Sequence, residues 1–113
     1  MQIETAKIEE KIILQAYVSH LKSKGLAGGN LYLTAKRVFF RSNDSEFATY
    51  QIDFPFSESF KCKSFSLLGL VKNAFSIYNG RNMELFFIDD KKIWLTEIEK
   101  AQKENLNSQN NSN

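Results

Sequence analysis

The sequence predicts a mainly β fold of about seven short strands followed by one C-terminal α-helix, a barrel or sandwich with the helix over one open end or face. Three observations carry this. Between Ile12 and Ile88 apolar side chains recur mostly at every second position, the period of a strand with one buried face. Glycine, asparagine and proline punctuate those runs. Only beyond Asp89 does the period lengthen, with Trp94, Ile98 and Ala101 on one helical stripe.

The first run, "IILQAYVSH", alternates with Ile12, Leu14, Ala16 and Val18 on one side; Ile8, Ile12 and Ala16 also suit a helix, and the strand is preferred from Ile12 onward. Next, "GGNLYLTAKRVFF", residues 28–40, reads as a hairpin. With Ala35 and Lys36 at its tip, Leu33 faces Val38 and Leu31 faces Phe40, so these four turn inward together. Tyr32 then faces Phe39 and Thr34 faces Arg37 on the outer side. Ala-Lys is a poor primed turn, so a four-residue loop that keeps the Leu33–Val38 pairing fits equally well. Gly28 and Gly29 suit a turn with unusual backbone angles.

"ATYQIDF" sets Tyr50, Ile52 and Phe54 against Thr49, Gln51 and Asp53 until Pro55 ends the run. "FKCK" opposes Phe60 and Cys62 to Lys61 and Lys63, and the parity change at Phe65 and Leu67 implies a bulge or break near Ser64. "FSIYNGRNMELFFI" signals a second hairpin. Turning Phe75, Ile77, Met83, Leu85 and Phe87 inward demands an odd loop, met by three residues with Gly80 left-handed; Phe86 and Ile88 then point outward. The helix follows, with Asp89 and Asp90 at the positive end of its dipole. From Asn105 the polar "NLNSQNNSN" reads as a disordered tail, giving one domain over 1–104 and a tail over 105–113.

At 113 residues, 42% hydrophobic and 25% charged, the composition is that of one globular domain. A net charge of +2 is too small for a nucleic-acid footprint, so no nucleic-acid partner is expected. The single cysteine, Cys62, excludes an internal disulfide and suits a reducing compartment. The N-terminus does not read as a signal peptide and no apolar run has membrane-spanning length, so the expected location is the cytoplasm. The sequons at Asn43 and Asn110 matter only in a secreted chain.

No catalytic residue, metal site or cofactor is expected. The one histidine, His20, ends the first strand with no companion identified for it, and Cys62 turns inward as a small apolar group. Asp89 with Asp90 complements a helix dipole more readily than it builds a metal site. "GLAGG" lacks the lysine and hydroxyl that complete a P-loop.

"GGNLYLTAKRVFF", a strand like "ATYQIDFPFSESF", then "LLGLVKNAFSIYNGRNMELFFI" and a helix opening with "IWLTEIEKA" resemble the GRAM domain of the pleckstrin-homology-like superfamily, over roughly residues 10–103. The most specific part is G-x-L-x-L-T-x-x-R-x-x-F, matched by Gly29, Leu31, Leu33, Thr34, Arg37 and Phe40. The resemblance implies a seven-stranded, strongly bent sheet or partly open barrel capped by the C-terminal helix, binding membrane lipids or proteins without catalysis. Phosphoinositide-reading relatives carry an R-x-R; here the nearest basic residues are Lys22, Lys24, Lys36 and Arg37, which argues against specific inositol phosphate recognition.

Two surfaces follow as candidates. Leu68 and Leu70 lie in an apolar stretch beside Lys72, Lys61 and Lys63, which either plugs one end of the barrel or suits weak contact with anionic lipid at the inner membrane surface. Tyr32, Phe39 and Phe86, with Ile88, form an outward aromatic face suited to another protein or a second copy of the chain.

Overall fold

The computed structural model describes residues 10–43, 49–67, 71–80 and 82–110, of which 67, 71, 72 and 108–110 are described by backbone alone. Seven strands, β1 (Ile12–Lys22), β2 (Gly25–Thr34), β3 (Arg37–Ser42), β4 (Gln51–Pro55), β5 (Lys61–Leu67), β6 (Val71–Asn79) and β7 (Asn82–Phe87), precede one helix, α1 (Lys91–Asn110). They form one antiparallel sheet in the order β4-β3-β2-β1-β7-β6-β5, unclosed because β4 and β5 remain edges. β1 and β7 share only two pairs, Ser19 with Phe87 and His20 with Phe86. Around this narrow join the four-stranded and three-stranded halves meet through Phe40, Phe54, Phe75 and Phe86, all buried in one cluster.

The first hairpin has the expected register: Leu31 pairs with Phe40, Tyr32 with Phe39 and Leu33 with Val38, and Leu31, Leu33, Val38 and Phe40 are fully buried. Its tip is held by a side chain where glycine is missing. Thr34 Oγ1 accepts from the backbone N–H of Lys36 at 3.1 Å and of Arg37 at 3.2 Å, closing an ST turn, and donates to Glu10 Oε1 at 2.7 Å. Gly28 and Gly29 lie within β2, and the positive φ falls earlier, at Gly25. Close approach is what Gly29 answers: a Cβ there would stand 2.4 Å from the Arg41 carbonyl oxygen and 2.7 Å from the Phe40 ring.

β1 is a strand with Val18 buried and Leu14 and Ala16 half-buried; a register shift between Ile12 and Leu14 leaves Ile12 exposed. In β4, Phe54 is buried with Ile52 half-buried beside it, while Gln51 and Asp53 face solvent, and Pro55 sits at the end of an edge strand where its missing N–H is harmless. The β5 irregularity lies between Phe65 and Leu67, past Ser64.

The second hairpin departs from its predicted register. Asn79 pairs with Asn82, Tyr78 with Met83, Ile77 with Glu84, Ser76 with Leu85 and Phe75 with Phe86, and Gly80 has φ +66°. One residue of slip exchanges the faces of a strand. Phe86 and Ile88 therefore enter the core, and Met83 and Phe87 turn outward.

α1 places Trp94, Ile98 and Ala101 in the core as its stripe predicts. The Asp90 carbonyl accepts the Trp94 N–H at 3.2 Å, the first turn of the helix. The helix continues through Asn110, where a disordered tail was expected from Asn105. Once nucleated on the core, each added residue gains a backbone bond without repeating the nucleation penalty, so weak helix formers are carried along.

Candidate functional site

Strand register decides which side chains share the outer face of the three-stranded half. Lys61 pairs with Tyr78 and Tyr78 with Met83; Lys63 pairs with Ser76 and Ser76 with Leu85; Phe65 pairs with Ala74 and Ala74 with Phe87. Directly paired residues share a side, so these form three rows across one surface. Phe87 continues through Ser19 to Gly28, and on the same side of β1 and β2 Leu21 pairs with Leu26. Leu21 is 45% exposed, Leu26 50%, Tyr78 38% and Met83 45%. Ala74, Ser76 and Leu85 on this face are buried; the exposed remainder is partly apolar, with Lys61 and Lys63 along the β5 edge and Lys24 in the β1–β2 turn. The Lys63 ammonium lies 5.5 Å from the Tyr78 ring centre. Glu84, between Met83 and Leu85, turns to the opposite side.

Of the residues singled out in sequence for a membrane contact, Lys61 and Lys63 stand on this face; Leu68 and Leu70 lie outside the described residues, as does the side chain of Lys72. Leu21, Leu26, Tyr78 and Met83 were missed, although Leu21 falls on the outward parity of a strand whose Val18 and Ala16 point in.

The aromatic partner face does not assemble. Phe86 is fully buried, stacked on His20 with centroids 5.0 Å apart and tilted against Phe40 at 5.5 Å, and Ile88 is buried too. Phe39 is on the outer side as expected, yet has no exposed surface: Tyr32 stacks on it at 4.7 Å and the Arg37 guanidinium lies 4.3 Å from its ring centre. Tyr32 alone remains, half-buried.

His20 is buried and bridges two partners far apart in sequence. Nε2 lies 2.6 Å from Glu84 Oε1 and Nδ1 lies 2.7 Å from the Tyr50 hydroxyl. In the tautomer that carries its proton on Nε2, the ring donates to the carboxylate and Nδ1 accepts the tyrosine O–H. The trio couples β7 to β1 and to the segment before β4. Because the two contacts span 30 and 64 positions, the trio reads as a strut.

Two of the basic residues considered in sequence, Arg37 and Lys22, have other contacts. Arg37 is held by Glu10 at 3.3 Å and Asp53 at 3.2 Å, and the Lys22 ammonium lies 4.2 Å from the Tyr50 ring centre. Among the described residues no group of His, Cys, Asp and Glu could hold a metal ion, and no helix is long and apolar enough to cross a membrane.

Burial pushes the Cys62 thiol up from 9.0 to about 12. At pH 8 its thiolate fraction is roughly a thousandfold below that of an ordinary cysteine, so iodoacetamide should modify it very slowly in the folded chain and readily in guanidinium. The sign for stability follows: the unfolded chain ionises first, so this thiol's contribution is intact below pH 9 and falls as pH rises from 9 toward 12. Mass spectrometry of timed alkylation checks the first expectation.

An unclosed seven-stranded antiparallel sheet with a C-terminal helix packed into its core has the pleckstrin-homology-like architecture. Within it, the sequence model of the GRAM domain matches residues 2–93, and the chain belongs to the GRAM domain family. Among solved structures, the C-terminal domain of an unknown protein from Leishmania infantum is similar, with a TM-score of 0.68 at 13% identity over 89% of each chain, a likeness of fold. No curated protein matches.

Proposed function

We propose that this chain is a non-catalytic binding module that rests the outer face of β5, β6 and β7 on an anionic membrane surface, at the inner leaflet. One observation carries the reading: Lys61 and Lys63 share a face with half-exposed Tyr78 and Met83, beside the exposed Leu21–Leu26 pair. Basic groups at the rim of an apolar patch are drawn to anionic headgroups while the patch enters the interface.

The magnitudes agree with weak, reversible attachment. Lys24, Lys61 and Lys63 contribute about 1 kcal/mol each near an anionic leaflet, and burying the exposed remainder of Leu21, Leu26 and Met83 adds a comparable amount. Neither part suffices alone, and the first is screened by salt.

Co-sedimentation with vesicles tests it. The full chain should pellet with phosphatidylserine-containing vesicles at low salt, stay in solution with pure phosphatidylcholine, and bind about tenfold or more weakly as the Lys61→Glu, Lys63→Glu double variant. No pelleting at low salt, or equal pelleting with both vesicle types, would remove the proposal.

A further inference from the structure

β1 and β7 run antiparallel and pair at Ser19 with Phe87 and at His20 with Phe86. Carried two residues further, the same register would set Tyr17 opposite Asp89. The ladder stops before that pair, and the parted strands leave a notch of about 290 Å³ bordered by Tyr17, Ser19, Asn73, Phe87 and Asp89. It lies at the α1 end of β7, whereas the row of Lys61, Tyr78 and Met83 crosses the other end.

The residues around the notch give it a charge preference. Tyr17 is 65% exposed, and its ring leans over Gly28, its diagonal neighbour on β2, where a Cβ would collide with the tyrosine hydroxyl. Phe87 supplies a second ring, half-buried. The Asp89 carboxylate is exposed and has no ion-pair partner among the described residues. No basic side chain among them borders the notch: Lys91 and Lys92 belong to the adjoining cleft, and Lys91 donates to the Phe65 carbonyl at 3.4 Å.

We propose that this notch takes the guanidinium of an arginine from a partner protein. The faces of aromatic rings carry negative potential and attract a cation, and a carboxylate beside them balances its charge. Arginine suits the place better than lysine, because its planar head stacks on a ring while its fork gives two parallel bonds to one carboxylate. The Asn73 side-chain carbonyl adds an acceptor on the same border; its backbone carbonyl already accepts the Ile88 N–H at 2.8 Å. Gly28 thereby gains a role, since the missing Cβ lets Tyr17 lie against β2 and wall the notch.

This site goes beyond the membrane reading and is separable from it. Amide NMR titration of the full chain at low salt would use three blocked tripeptides, with glycine flanking arginine, lysine or citrulline; citrulline keeps the shape of arginine without its charge. The arginine peptide should shift the amides of 17–19, 73 and 87–89 saturably, the lysine peptide should bind several-fold more weakly, and the citrulline peptide should leave them in place. Asp89→Asn should weaken arginine binding about fivefold or more, and Gly28→Ala, which dislodges the Tyr17 ring, about threefold. Tyr17→Ala probes the same wall should Gly28→Ala misfold. Asp89→Asn and Gly28→Ala should still pellet with phosphatidylserine-containing vesicles at least as well as the parent, because Lys61 and Lys63 are untouched. No saturable shifts with the arginine peptide, an equal response to citrulline, or binding undiminished in Asp89→Asn and in the Tyr17 wall variants would overturn the proposal.

Discussion

Phe86→Ala should lower the free energy of unfolding by about 3–5 kcal/mol, the range for emptying a buried aromatic site. The ring has no exposed surface and touches both halves of the sheet: it stacks on His20 of β1, tilts against Phe40 of β3 and Phe75 of β6, and meets Phe54 of β4 edge-on at 6.5 Å. Removing it opens a void where two halves joined by only two strand pairs hold together. Denaturant unfolding followed by tryptophan fluorescence is suited to the measurement, because Trp94 belongs to the same cluster. The alternative register, with Phe86 on the surface, predicts a change within about 0.5 kcal/mol, so the experiment also decides how β6 and β7 pair.

Gly29→Ala should destabilise by about 1–3 kcal/mol through overpacking. The obstacle at 2.4 Å is a backbone carbonyl, Arg41 O, on the strand paired with β2, and the Phe40 ring closes the other side at 2.7 Å. A flexible side chain could yield; a carbonyl within a ladder cannot move without breaking pairs. Gly28→Ala offers a control, since what its Cβ would meet is the hydroxyl end of Tyr17, an exposed side chain that can swing away. The two substitutions differ by one position and should differ clearly in chemical-denaturation midpoint.

The motif G-x-L-x-L-T-x-x-R-x-x-F thereby receives a structural meaning at every matched position. Gly29 allows close approach, Leu31, Leu33 and Phe40 fill the core, Thr34 closes the turn, and Arg37 joins Glu10 to Asp53. None of these side chains lies on the lysine-rimmed face. The signature identifies the family through its folding, and the ligand must be sought elsewhere on the surface.

What the sequence showed depended on how one-sided each strand is. Leu31, Leu33, Val38 and Phe40 alternate against polar or covered neighbours around a short tip, so the register could be read directly. β7 resists that reading because Met83, Leu85, Phe86, Phe87 and Ile88 put apolar groups at both parities, and both Leu85 and Phe86 end up buried. Alternation carries no information when both faces are covered. The pairing of Glu84 with His20 favours the observed register, but those residues are 64 positions apart. The Tyr50 contact spans 30, which is why His20 looked like a strand end. Lys61 and Lys63 were legible from β5 alone; their apolar neighbours became visible only once register joined β5 to β6 and β7.

The central claim is that the exposed part of the outer β5–β7 face, Lys61, Lys63, Tyr78 and Met83, serves attachment and contributes little to folding, while Ala74, Ser76 and Leu85 of the same face are buried. Met83 tests it, being 45% exposed in the row that Lys61 and Tyr78 begin. The most direct measurement is the partition of Met83→Glu onto phosphatidylserine vesicles at low salt, on protein whose stability is within about 0.5 kcal/mol of the parent. A several-fold loss of partition at unchanged stability is the result expected. Partition equal to the parent's would contradict the account.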